Sequence, residues 1–162
     1  MNRFVRRSIF GVAVALLVFL AIPSAQGSDL LMGTWKVNIA KSTSPGPPSK
    51  SDIRTYEDRG GGIAIVTVEI VSAQGNRSYS MIAMKFDGRD YPVLSRNAES
   101  STTISYKRVD AYTMEYEVKE NGKVVSRTNS TLSKDGKTMT HRAKGTNAQG
   151  EPTSTLLIFE KQ

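Results

Sequence analysis

At 162 residues the chain holds one ordinary domain and a leading segment, which excludes a two-domain architecture. Its net charge of +7 is spread among interspersed acids rather than gathered into a run, so no nucleic-acid footprint is present. The lack of any cysteine excludes disulfides, thiol catalysis, cysteine-based metal sites and lipid attachment at a cleaved N-terminus.

Arg3, Arg6 and Arg7 precede an apolar run from Gly11 to Ile22, and Pro23-Ser24-Ala25-Gln26-Gly27 follows. This is the layout of a secretory signal peptide, residues 1–27. Cleavage is expected before Ser28, with cleavage after Ala25 the second choice. Residues 28–162 then form a secreted or periplasmic domain, and membrane contact is confined to the signal segment. An uncleaved anchor is the alternative, although the run is shorter than the roughly 20 residues that span a bilayer.

From Gly33 onward two-residue alternation replaces helical spacing. Tyr112, Met114, Tyr116 and Val118 share one side, while Thr113, Glu115, Glu117 and Lys119 take the other, as in a strand buried on one face. Gly62, Gly75, Gly88, Gly122, Gly136 and Gly150 punctuate the chain at near-regular intervals. Asn121-Gly122 and Asp135-Gly136 supply the pairs that tight hairpins require. Strands are expected over Thr34 to Lys41, Ser51 to Asp58, Ile63 to Ser72, Ser78 to Phe86, Arg89 to Leu94, Thr102 to Arg108, Tyr112 to Glu120, Lys123 to Leu132, Lys137 to Gly145 and Thr153 to Lys161. Such an antiparallel meander is expected to close, because open edges aggregate. Ser42 to Lys50 reads as a proline-rich loop and Leu94 to Ser101 as a second loop.

Gly33-Thr34-Trp35 opens the first strand, and this Gly-x-Trp resembles the first signature of the lipocalins. The chain also looks like the wider calycin-type group of bacterial lipocalin-like secreted proteins. The resemblance implies an all-β, lipocalin-like barrel of about 8–10 strands with Trp35 as the plug of one end. The later Thr-Asp-Tyr signature and a last-strand arginine over Trp35 are not found. Fatty-acid-binding proteins offer a second comparison, but the proline-rich loop stands where they carry two helices. Their C-terminal Arg-x-Tyr is also missing from Leu156-Leu157-Ile158-Phe159-Glu160.

The expected interior includes Tyr112, Met114, Tyr116 and Val118, with Met81, Met84 and Met139 as adaptable apolar lining. Hairpin register decides which polar groups join them. A two-residue Asn121-Gly122 turn pairs Tyr116 with Arg127 on one face, whereas a three-residue loop with a bulge pairs Tyr116 with Ser126 and turns Arg127 outward. If the next turn has the same geometry, Arg142 lies inside and His141 outside. Burial favours the reverse, since Met139, His141 and Ala143 fill an inner face more cheaply than Thr138, Thr140, Arg142 and Lys144. The candidate ligand-binding set is therefore Tyr112, Met114, Tyr116, Arg127, Met139 and His141.

Catalytic parts are sparse. His141 is the sole histidine, so metal-ligand pairs and nucleophile–base pairs lack members. Asp87, Asp90, Asp110 and Asp135 lie in or beside turns, where carboxylates serve the local backbone. Gly60-Gly61-Gly62 lacks the Lys-Ser and helix of a phosphate loop. No catalytic residue, metal or cofactor is expected. The reading is a non-enzymatic carrier of a small, mostly apolar molecule. The alternative is a filled barrel that presents its loops to an envelope protein partner.

Overall fold

The computed structural model describes residues 29–95, 101–147 and 149–162. The expected signal segment and most of the Leu94 to Ser101 loop thus lie outside the described residues. The strands are β1 Gly33–Val37, β2 Ser51–Asp58, β3 Ala64–Val71, β4 Arg77–Met84, β5 Asp87–Pro92, β6 Leu94–Ser95, β7 Thr102–Arg108, β8 Thr113–Glu120, β9 Lys123–Leu132, β10 Thr138–Thr146 and β11 Pro152–Lys161. All pairings are antiparallel within one 11-stranded sheet, and β11 returns to β1. The sheet's two edges, β5 and β6, are joined through Val93, so the chain itself bridges the seam of a nearly closed barrel.

Two elements depart from the sequence expectation. β1 stops at Val37 because Asn38 caps a single 3-10 turn, Ile39–Lys41, and its side chain accepts from the Lys41 N–H. The proline-rich loop then begins pinned to β11 by two backbone hydrogen bonds between Thr43 and Leu156. β6 is a two-residue strand that exists only through pairing with Ser80 and Met81 on β4.

Alternation fills the barrel unevenly. Trp35, Tyr56, Ala64, Val66, Ile82, Met84, Tyr106, Met114, Leu132, Met139 and Phe159 form a dry core toward one end. Each such full burial of a large apolar side chain contributes about 1.5–3 kcal/mol. The entering chain covers this end: Leu31 is fully buried and its carbonyl accepts the Trp35 indole N–H at 2.8 Å. Arg108 clamps the same segment with a two-point hydrogen bond to Asp29 at 3.2 and 2.6 Å. Lys161 lies 5.1 Å from the centre of the Trp35 ring and donates to the Leu30 carbonyl at 2.7 Å. A last-strand lysine therefore stacks on the tryptophan where the lipocalin pattern has arginine. Gly33 is required beside it, because its φ is +116° and a Cβ there would meet the lysine stem at 3.1 Å.

Asp58, Asp87, Asp110 and Asp135 each accept a backbone N–H two residues on, at 2.8, 3.1, 2.7 and 3.0 Å. These bonds tighten the four turns of the closed end. Local bonding holds the Asp87, Asp110 and Asp135 carboxyls below their ordinary range. The opposite end is the open mouth. There Val37, Val68, Val118 and Leu157 are only partly buried against the core.

Candidate functional site

Between the dry core and the mouth lies a buried polar group built on β2, β8 and β10. Alternation along β2 sends Asp52, Arg54 and Tyr56 inward in turn, since Arg54 pairs with Trp35 on one side and Val68 on the other. Arg54 donates through Nε and Nη2 to the two Asp52 oxygens at 3.2 and 3.0 Å. The two side chains are only 13 and 8% exposed, which makes the pair an internal one. Its guanidinium also lies 4.7 Å from the centre of the Phe159 ring. Burial is the largest single influence and opposes the charge on Arg54, but the Asp52 carboxylate together with the Tyr116 and Tyr56 phenols outweighs it and holds the guanidinium pKa well above its ordinary value.

The free arm of the guanidinium fixes the histidine. Arg54 Nη1 lies 3.1 Å from His141 Nδ1 and 3.4 Å from the Tyr116 hydroxyl, and that hydroxyl is 3.1 Å from the same imidazole nitrogen. Because a guanidinium only donates, Nδ1 must accept and the proton resides on Nε2. Burial, followed by repulsion from Arg54, keeps the His141 pKa well below 6.5, so the ring is neutral. Its Nε2–H is buried and has no partner among the described residues; the same holds for Ser130 Oγ. Burial pushes the Tyr56 phenol up to about 12 and raises Tyr106 as well. An arc of rings, Phe86, Tyr106, Tyr116, His141 and Phe159, links these groups, with successive centroids 6.1, 4.5, 5.6 and 5.0 Å apart.

Four of the six expected ligand residues come together inside: Met114, Tyr116, Met139 and His141 are all buried. Two do not. Tyr112 precedes β8 and is 39% exposed, because its N–H closes the Asp110 turn at 2.7 Å and alternation begins only at Thr113. Arg127 faces outward and binds Glu117 at 2.8 Å. The Asn121-Gly122 turn has two residues, with positive φ at both, but Val125 bulges out of β9 between the pairs Lys119–Val124 and Val118–Ser126. That extra residue pairs Tyr116 with Thr128, a partner neither expected register supplied. Met81 likewise faces outward opposite Leu94, whereas Ile82 and Met84 point in. His141 is inside, as burial favoured, because the Val125 bulge shifts β9 by one residue on β8, while β10 pairs with β9 in the register of a two-residue turn at Asp135-Gly136, so no second shift cancels the first.

Asp52 and Arg54 were not legible as site residues. Ile53 looks like the inward side chain of that strand, and the signal for the true facing is only the run Asp52-x-Arg54-x-Tyr56 set against Trp35 across the sheet. Above the polar group, Ser126, Ala143, Gly145, Thr153 and Thr155 line a hollow of about 370 Å³ at the mouth.

No protein-family model and no curated protein sequence matches this chain. The barrel resembles the calycin type in its antiparallel, nearly closed sheet. Its polar centre must therefore be read from its own chemistry.

Proposed function

We propose that the chain is an exported, non-enzymatic binding protein that takes a small molecule into the mouth of the barrel, with a hydrogen-bonding or anionic end directed at Arg54, Tyr116 and His141. The observation that carries this reading is the group of buried polar atoms left without partners, His141 Nε2 foremost. An unmet buried donor costs about 1–3 kcal/mol, which an acceptor on a ligand offsets. The mouth hollow falls at the lower end of the volume range of small-molecule sites. Its walls join the hydroxyls of Ser126, Thr153 and Thr155 and the Glu120 carboxylate at the rim to Ala143 and Val125. Such a lining suits a ligand with an apolar body and a polar edge better than a plain fatty chain. Export rests on Arg3, Arg6, Arg7 and the apolar run that follows.

The test uses anilinonaphthalene sulfonate, which combines fused rings with one anionic group. Its fluorescence is expected to rise on binding the purified protein, and Ala143→Phe, which fills the hollow, is expected to weaken binding at least about tenfold while leaving the unfolding midpoint nearly unchanged. Equal binding by the variant and the parent would remove the mouth from consideration.

A further inference from the structure

A second and larger hollow lies on the outside of the barrel and shares Val125, Ser126, Ala143, Gly145, Thr146 and Thr155 with the rim of the mouth hollow. The twisted outer face of β7 to β11 forms an open trough of about 1210 Å³. Strand register sets its chemistry. Glu117, Arg127, Lys144 and Ser154 stand side by side in one cross-strand row, and Asn129 and Arg142 are paired in the adjoining row. Arg127 and Lys144 are thus like charges directly opposite one another, an arrangement that destabilises a sheet. Glu117 engages Arg127 and Asp90 engages Lys119. Arg142 and Lys144 make no ion pair or side-chain hydrogen bond among the described residues. Five cations line the trough against two carboxylates.

We propose that this trough binds an acidic saccharide chain, with Arg142 and Lys144 holding its carboxylates. Charge complementarity requires an anion, and the rest of the lining mixes polar groups with the apolar Val124, Val125 and Leu156, as suits the two kinds of surface a sugar ring presents. Asn129, Ser154 and Thr146 present amide and hydroxyl groups suited to sugar hydroxyls. An acidic peptide would lack main-chain partners, because the β8–β9, β9–β10 and β10–β11 ladders already use the backbone groups here. A bilayer fits poorly for two reasons: the face is concave, and the exposed large apolar residues Ile39, Ile63, Tyr79, Leu94, Val109 and Tyr112 all lie outside the trough.

The experiment is affinity electrophoresis of the purified protein through gels containing polygalacturonate, with its neutral methyl ester as the matched gel. Retardation is expected in the acidic gel alone. Arg142→Gln combined with Lys144→Gln is expected to weaken it at least about tenfold, and Glu117→Gln, which frees Arg127, to strengthen it. Lys36→Gln, an exposed change on β1, is the control and is expected to change nothing. Circular dichroism confirms that each variant is folded. The proposal is overturned by absent retardation, by an unaffected double variant, by equal capture on polyglutamate, or by stronger binding to phosphatidylglycerol vesicles. Loss of dye binding in Ala143→Phe has no bearing on these outcomes.

Discussion

Breaking the Asp52–Arg54 pair from either side gives an asymmetric result whose size follows from the geometry. Arg54→Met leaves a buried carboxylate facing an apolar chain and strips one donor from both the Tyr116 hydroxyl and His141 Nδ1. Removing one member of a buried pair costs about 3–5 kcal/mol, and this variant belongs in that range. Asp52→Asn is milder, at about 2–3 kcal/mol, since the amide oxygen still accepts one guanidinium N–H and the Phe159 ring stays 4.7 Å away. Replacing both, as Asp52→Leu with Arg54→Met, removes the desolvated charges together and returns stability to within about 1–2 kcal/mol of the parent. Urea unfolding at neutral pH measures all four proteins, with equal slopes required for comparison. Single variants that each lose less than about 1 kcal/mol and simply add in the double variant would refute the buried-pair argument.

His141 makes stability depend on pH in a definite direction. Its folded pKa is depressed below 6.5, so the unfolded chain binds the proton first and stability falls as pH drops below that value, by up to about 1.4 kcal/mol per unit. Urea midpoints at about pH 7.5 and about pH 5 are expected to differ in the parent and to draw together in His141→Gln; a flat parent profile contradicts the neutral buried ring. Trp35→Phe keeps most of the packing but leaves the Leu31 carbonyl without its donor, and is expected to cost about 1–3 kcal/mol in thermal unfolding. Gly145→Ala places a Cβ 2.3 Å from the Val125 carbonyl oxygen, so the bulge must shift and the expected loss is about 1–3 kcal/mol. An unchanged urea midpoint for that variant would show that the bulge yields freely.

The strands were legible because they rest on local signals: alternation along Met114, Tyr116 and Val118, and turn pairs such as Asn121-Gly122. β6 was not, since Leu94 and Ser95 become a strand only when Met81 and Ser80 arrive from elsewhere in the chain. The facing of Arg127 was hidden for a related reason. A bulge at Val125 has no mark in Val124-Val125-Ser126, and its one trace is the distant Gly145 against which it packs. Burial chemistry located His141 where register alone left two answers. The same chemistry misdirects at β2, where Ile53 faces out and the charged Asp52 and Arg54 face in, because their attraction is satisfied only inside the finished barrel.

The most direct test of the central claim is a nitrogen–proton correlation spectrum of the His141 imidazole at neutral pH, recorded before and after adding anilinonaphthalene sulfonate. A neutral ring protonated on Nε2 is expected, with its Nε2 signal moving as the dye saturates the parent and staying still in Ala143→Phe. A charged ring, or a signal that ignores the dye while the dye binds, would contradict a ligand seated over Arg54, Tyr116 and His141.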